Sequence, residues 1–205
     1  MKKVIIFDMM GVIFKDGDDT NDLLVPYINE INPCVNSEFI VQKYIDASLG
    51  KITAGEFWRL VGIENNEIDH IQKYYLDHCL KLDSGFLPCV HKLSGQYRIA
   101  ILSNDVGEWS EYLRKRRGFE KYIEKAFISS ELGYRKPEPE IYKIALSQLG
   151  IEPYEGVFID DSPKRVETAE ELGLTGILFN QEGIDYHGLQ IDTFNDLLAL
   201  YLHHT

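Results

Sequence analysis

Three short apolar runs in this chain stop abruptly at small or acidic polar residues. Val4–Phe7 ends in Asp8, Arg98–Leu102 in Ser103-Asn104-Asp105, and Gly156–Ile159 in Asp160-Asp161-Ser162. Two more runs, Ala126–Ser129 and Gly176–Phe179, share the same character. All are rich in Ile, Val and Phe and nearly continuous rather than alternating. That pattern is expected of strands buried on both faces, which are parallel strands sheathed by helices. Parallel strands end on one edge of their sheet, so the polar ends are expected to converge there.

Between the runs lie helical patterns. Glu138–Leu149 sets Ile141, Ala145 and Leu149 on one face before the stop at Gly150, and Pro163–Leu172 opens with proline and ends at Gly173. This alternation predicts an α/β fold, a Rossmann-like doubly wound parallel sheet. Residues 16–84 differ, showing no comparable strand and several amphipathic stretches: Ser37–Leu49, a capping box at Thr53 and Glu56, and Glu67–Leu82. The expected organisation is a core of residues 1–15 and 85–205, with a helical cap of 16–84 inserted above the carboxyl ends of the strands.

Charge restricts the partners. The 205 residues carry a formal net charge of −12, which repels nucleic acid and anionic membrane at long range, so neither is expected as a partner. A phosphate site in such a chain has to be locally positive. The basic run Arg114-Lys115-Arg116-Arg117 sits where a helix is expected to end and is read as a solvated terminus complementing the dipole. Cys34, Cys79 and Cys89 are an odd number with no close pair, which fits neither a disulfide framework nor a zinc knuckle. The initial apolar run is too short for a signal peptide or a membrane span, so a cytoplasmic protein is expected. His70, His78 and His91 fall at irregular spacing, His203-His204 reads as an exposed tail, and Trp58 and Trp109 read as packing residues.

Asp8, Asp160 and Asp161 brought to one edge cannot all stay ionised without a cation between them. Mg²⁺ suits such a place, because it takes a few carboxylates and completes its shell with water and phosphate. Lys136, in the stiff segment Tyr134-Arg135-Lys136-Pro137-Glu138-Pro139, can neutralise a phosphate, and Ser103 can donate to its oxygens. A carboxylate nucleophile beside a metal is the aspartyl-phosphate strategy.

Taken in order, Asp8-Met9-Met10-Gly11-Val12, Ser103-Asn104, Lys136 with its Pro-x-Pro context and Asp160-Asp161-Ser162-Pro163 resemble the four motifs of the haloacid dehalogenase superfamily. The insert resembles that family's C1 cap. The resemblance implies Asp8 as nucleophile and metal ligand, with the main-chain carbonyl of Met10, Asp160 and Asp161 completing the protein's share of the Mg²⁺ site. It implies Ser103 and Lys136 as phosphate ligands and Asn104 as an orienting residue.

One position departs from the phosphatase pattern. The second residue after the nucleophile is usually an Asp serving as general acid and base; here it is Met10, which has no useful proton chemistry. A branch of sugar-phosphate phosphatases also lacks that Asp, and Asp160-Asp161-Ser162-Pro163-Lys164-Arg165 resembles this branch. Asp16, Asp18, Asp19 and Asp105 are candidate substitute acids. The bland alternatives are a solvated linker for Asp16–Asp19 and a helix N-cap for Asp105. The expected function is Mg²⁺-dependent hydrolysis of a small phosphorylated metabolite, a sugar phosphate among the candidates, by a monomer or homodimer. The alternatives are a 2-haloacid dehalogenase-type hydrolase and a non-catalytic binding protein of the same fold. Dehalogenases replace the paired acids with uncharged residues and use an Arg at the start of the cap, whereas this chain keeps Asp160-Asp161 and has no Arg before Arg59.

Overall fold

A computed structural model describes residues 3–202; His203-His204 lie outside them. Six parallel strands form one sheet: β1 (Val4–Phe7), β2 (Arg98–Ser103), β3 (Lys125–Ile128), β4 (Gly156–Asp160), β5 (Thr175–Phe179) and β6 (Gln190–Ile191). Their spatial order is β3-β2-β1-β4-β5-β6. β1 therefore lies in the middle, with Phe7 level with Ile101 of β2 on one side and Ile159 of β4 on the other. The chain turns away from β1 in opposite directions at this point, which opens a crevice at the carboxyl ends of the strands.

The continuous apolar runs have a simple cause, because both faces of the sheet are covered. Val4, Ile6, Ala100, Leu102 and Phe158 point toward α8 (Pro139–Leu149), whose Ile141, Tyr142 and Ala145 pack on them. Ile5, Phe7, Ile99, Ile101 and Ile159 point the other way. Phe7 meets Phe86 of α5 (Phe86–Leu93) edge-on at 5.6 Å, and Phe86 meets Phe194 of α10 (Phe194–Tyr201) at 5.5 Å. The remaining core helices are α6 (Gly107–Arg116), the short α7 (Ser129–Leu132) and α9 (Pro163–Glu171). No helix among the described residues is long and apolar enough to cross a membrane.

Between β1 and α5 the chain is helical: a π-turn at Thr20–Leu24, then α1 (Val25–Ile31), α2 (Ser37–Ser48), α3 (Ala54–Leu60) and α4 (Ile68–Tyr74), then a second π-turn at Tyr75–Cys79. The capping box at Thr53 is present, with Thr53 Oγ1 accepting from Glu56 N and Glu56 accepting from Thr53 N. The packing of Trp58 and Trp109 is as expected from the sequence. Phe57 packs edge-on and Trp58 tilted against Trp109 of α6 at 5.6 and 5.7 Å, and Gln72 Oε1 accepts from both indoles, Trp58 at 2.9 Å and Trp109 at 2.7 Å. His70, His78 and His91 are all exposed.

Three expectations are corrected. Glu67–Leu82 is not one helix: Leu80 turns to ψ 114°, and Arg117 Nη2 donates to the carbonyls of Leu76, Asp77 and Leu80. That contact satisfies acceptors at a helix end, which local sequence cannot announce. For the same reason the basic run is not a wholly solvated terminus. Arg114 is buried on Glu120 (2.6 Å) and Ser110 (2.6 Å), and Arg116 reaches Asp77 at 3.1 Å. Asp105 is not the N-cap of α6 either; Val106 holds that position.

Candidate active site

Asp8 is the first residue past β1. Its N–H donates to Ile159 O (2.9 Å), and its Oδ1 accepts from Met9 N (2.6 Å), so the carboxylate is fixed at the strand end. Asp160 closes β4 and is fully buried, with Oδ1 accepting from Ser162 N at 2.9 Å. Lys136 is buried between them, 2.7 Å from Asp8 Oδ1 and 2.6 Å from Asp160 Oδ2. Arg165, on the first turn of α9, stands over the opposite oxygens, with Nη1 at 3.2 Å from Asp8 Oδ2, 3.4 Å from Asp160 Oδ1 and 3.5 Å from Asp161 Oδ1.

Asp161 is held by backbone that only glycine permits. Gly11 has φ 77°, and a Cβ at Gly11 or at Gly17 would collide with Asp161 Oδ2. Its other oxygen, Oδ1, is buried without a hydrogen-bond partner. The ligand atoms of Asp8, Asp160 and Asp161 lie within 4.8 Å of one another. Three carboxylates so close, one with an oxygen that makes a long ion pair but no hydrogen bond, are a donor set that fits a hard divalent cation such as Mg²⁺.

The electrostatics divide the three acids. Burial and the neighbouring Asp160 push Asp8 above the usual carboxylate range, against the pull of Lys136 and Arg165. Burial also raises Asp161, with Asp160 and Asp8 adding to the rise. Burial acts on Asp160 in the same sense, but Lys136 and Arg165 outweigh it and hold the group ionised.

Beside this cluster is a cavity of about 110 Å³. Asp8, Met10, Asp19, Tyr44, Ser103 and Arg135 contribute to its walls. Ser103 is the last residue of β2 and is buried at the cavity edge. Asn104 also lines it, but its amide is engaged with the main chain of Lys136, giving Nδ2 to Lys136 O and taking Lys136 N on Oδ1. The Lys136–Pro137 peptide is cis. From the insertion, Tyr44 OH donates to Asn104 O at 3.2 Å, and Arg135 contacts Ser48 Oγ and lies 6.0 Å from the Tyr44 ring centre.

The candidate acids separate. Asp18 is exposed and holds Asn21, as a linker residue would. Asp19 is buried in the cavity wall, accepts from Tyr75 OH at 3.4 Å, and is pushed up to about 7 by burial. Asp105 is buried below the cavity, with Oδ1 on Val106 N (2.7 Å) and Oδ2 unpaired. Sequence reasoning gave no role to Arg165 or Arg135. Their signal was only their place beside Asp161 and Lys136. A wider groove of about 680 Å³ along β6 and α10, lined by Asn180, Ile184, Leu189 and Leu200, holds no comparable cluster.

Known proteins resemble this chain in sequence and fold. D-ribitol-5-phosphate phosphatase of Bacteroides thetaiotaomicron is 26% identical over 188 residues, covering 84% of this chain and 89% of its own. Flavin mononucleotide hydrolase 1 of Arabidopsis thaliana is 25% identical over 183 residues, covering 86% and 71%. A crystal structure of a HAD family enzyme from Bacteroides thetaiotaomicron, in complex with magnesium and inorganic phosphate, superposes with a TM-score of 0.71 at 27% identity, over 91% of this chain and 98% of that one. The haloacid dehalogenase-like hydrolase profile matches residues 2–173. With six parallel strands in this order and three acids at their carboxyl edge, the chain belongs to the haloacid dehalogenase-like hydrolase family.

Proposed function

We propose that this protein is a Mg²⁺-dependent phosphatase acting on a small phosphorylated metabolite through a phosphoryl group carried on Asp8. The observation that carries this reading is the placement of Asp8 beside Lys136 and within reach of the acids Asp160 and Asp161, at the mouth of a polar cavity. Asp8, Asp160, Asp161 and the main-chain carbonyl of Met10 would hold Mg²⁺. When bound, the ion offsets the repulsion between carboxylate and phosphate and polarises the phosphoryl group. Lys136 Nζ and Ser103 hold the phosphate oxygens, and Asn104 keeps Lys136 in place. Asp8 attacks phosphorus in line with the ester oxygen; water then attacks phospho-Asp8 and releases phosphate. Asp19, protonated near neutrality in the cavity wall, gives its proton to the leaving alkoxide in the place that Met10 leaves vacant.

The helical insertion acts as a cap. Its Asp19, Thr20 and Tyr44 face the substrate, and it is latched to the core through Tyr44, Ser48 and Gln72. A cavity of about 110 Å³ is small beside the roughly 300–1,000 Å³ of pockets for larger ligands. Its polar wall suits a short polyol or sugar phosphate better than a nucleotide-sized ester.

The test is a screen of phosphorylated metabolites with and without EDTA, alongside Asp8→Asn. Phosphate release that is lost on chelation and lost in Asp8→Asn supports the reading. Release from Asp8→Asn at the wild-type rate refutes it, and a chelation-resistant activity on 2-haloacids would favour a dehalogenase instead.

A further inference from the structure

Arg165 occupies an unusual place for a residue beside a candidate metal site. One nitrogen, Nη1, lies 3.2–3.5 Å from an oxygen of each of the three acids. Lys136 takes the remaining oxygen of Asp8 and of Asp160. Both oxygens of the nucleophile are thus already held by protein cations, and the guanidinium stands at the point on which the three carboxylates converge. Mg²⁺ needs these oxygens at about 2.1 Å, and it cannot share their focus with a guanidinium nitrogen. The side chain also has somewhere to go. It lines the same cavity as Ser103, Asn104 and Arg135 and is partly exposed there, while its backbone is fixed in α9.

We propose that Arg165 is a built-in counter-cation that competes with Mg²⁺ for Asp8, Asp160 and Asp161, so that the metal binds only when the guanidinium swings out into the cavity. This rests on the metal site of the proposed function but not on turnover. Arg165 is a positioning residue: it holds the acids together in the metal-free protein and sets how readily the metal enters. Metal affinity is then reduced by the fraction of molecules in which Arg165 has withdrawn.

The experiment is calorimetric titration of the full-length protein with MgCl₂, without substrate, at fixed pH and ionic strength. Wild type is compared with Arg165→Gln and Arg165→Lys. If the withdrawn state is populated to a tenth or less, Arg165→Gln binds Mg²⁺ at least about tenfold more tightly. Arg165→Lys keeps the charge, but its Nζ is one bond nearer the backbone and more strongly hydrated, so it does not reach the position from which Nη1 contacts all three acids. It therefore also binds more tightly than wild type. Equal affinity of Arg165→Lys and wild type would show that only charge matters, and it overturns the proposal. So does an affinity of Arg165→Gln at or below that of wild type. Where the metal-free variant is too unstable for titration, a crystal structure of the wild type soaked in MgCl₂ decides. Arg165 turned away from the three acids is expected, and Arg165 still at 3.2–3.5 Å with Mg²⁺ seated overturns the idea. Absence of Mg²⁺ binding in every variant overturns both this inference and the metal site. The expected affinity order without phosphatase activity overturns the proposed function alone.

Discussion

Asn104 clasps the main chain of Lys136 from both sides, Oδ1 accepting its N–H at 2.7 Å and Nδ2 donating to its carbonyl at 2.9 Å. The two hydrogen bonds join the end of β2 to the loop that carries the buried cation. The position of the Lys136 ammonium is therefore set from β2, a strand adjacent to Asp8's own. Asn104→Ala removes both bonds and lets the loop drift. Loss of positioning of this kind is worth about 10²-fold, so kcat/KM on p-nitrophenyl phosphate is expected to fall by about that factor while Asp8 remains intact. An unchanged value would show that the loop holds Lys136 without Asn104.

Lys136 itself separates two buried carboxylates. Lys136→Met leaves Asp8 and Asp160 facing each other with only Arg165 nearby. Removing one partner of a buried charge cluster costs about 3–5 kcal/mol. Urea denaturation is expected to show a loss of that order at pH 7. The double variant Lys136→Met/Asp160→Asn is expected to recover part of it.

Asp19 as proton donor makes a prediction that depends on the leaving group. Asp19→Asn should lower kcat on an alkyl phosphate by about 10²–10⁴-fold. It should leave p-nitrophenyl phosphate, whose phenolate departs without help, nearly unchanged. Wild-type turnover of the alkyl ester is expected to decline as pH rises through about 7, because the donor must be protonated. Asp18, Asp8, Asp105, Tyr75, Tyr44 and Arg135 are the groups that face it. Parallel losses on both esters would mean that Asp19 only shapes the cavity.

The same group affects stability. Its folded-state pKa is raised, so its contribution is fully present below the unfolded carboxylate value and is lost as pH climbs toward about 7. Asp19→Asn should leave the melting temperature of the metal-free protein unchanged near pH 4. At pH 8 it should raise it by an amount corresponding to about 4 kcal/mol. A stabilisation equal at both pH values would contradict the linkage.

Gln72 offers a test of the latch between insertion and core. Its Oε1 satisfies the indoles of Trp58 and Trp109, both buried. Gln72→Leu strands two N–H donors at about 1–3 kcal/mol each, whereas Gln72→Glu keeps the acceptor. A lower melting temperature and faster amide exchange in α3 are expected for the first variant, and neither to the same extent for the second.

Much of this site was legible because parallel strands impose a simple rule. A strand covered on both faces has to be apolar throughout, so its polar terminus stands out, and β1, β2 and β4 were found to within a residue. The two-residue β6 gave no such signal, because Gln190-Ile191 pairs only through its neighbour β5. The break at Leu80 was hidden because its cause is Arg117, far along the chain. Asp18 and Asp19 have the same side chain and adjacent positions and both line the cavity, yet one is exposed and the other buried. Only the packing of the insertion separates them. Arg165 was quoted only as the end of the segment Asp160-Asp161-Ser162-Pro163-Lys164-Arg165, because its contact with all three acids appears only when Asp8 is brought beneath it.

The central place of β1 also bears on how the protein is made. Val4 pairs with Arg98 and Gly156, partners about 90 and about 150 residues downstream. The strand carrying Asp8 leaves the ribosome well before either flank exists, and such distant pairings form slowly. No acid cluster can assemble until Asp160 has been synthesised and β4 has docked. A nascent or C-terminally truncated chain therefore holds Asp8 without its companions and has no site with which to act on an ester.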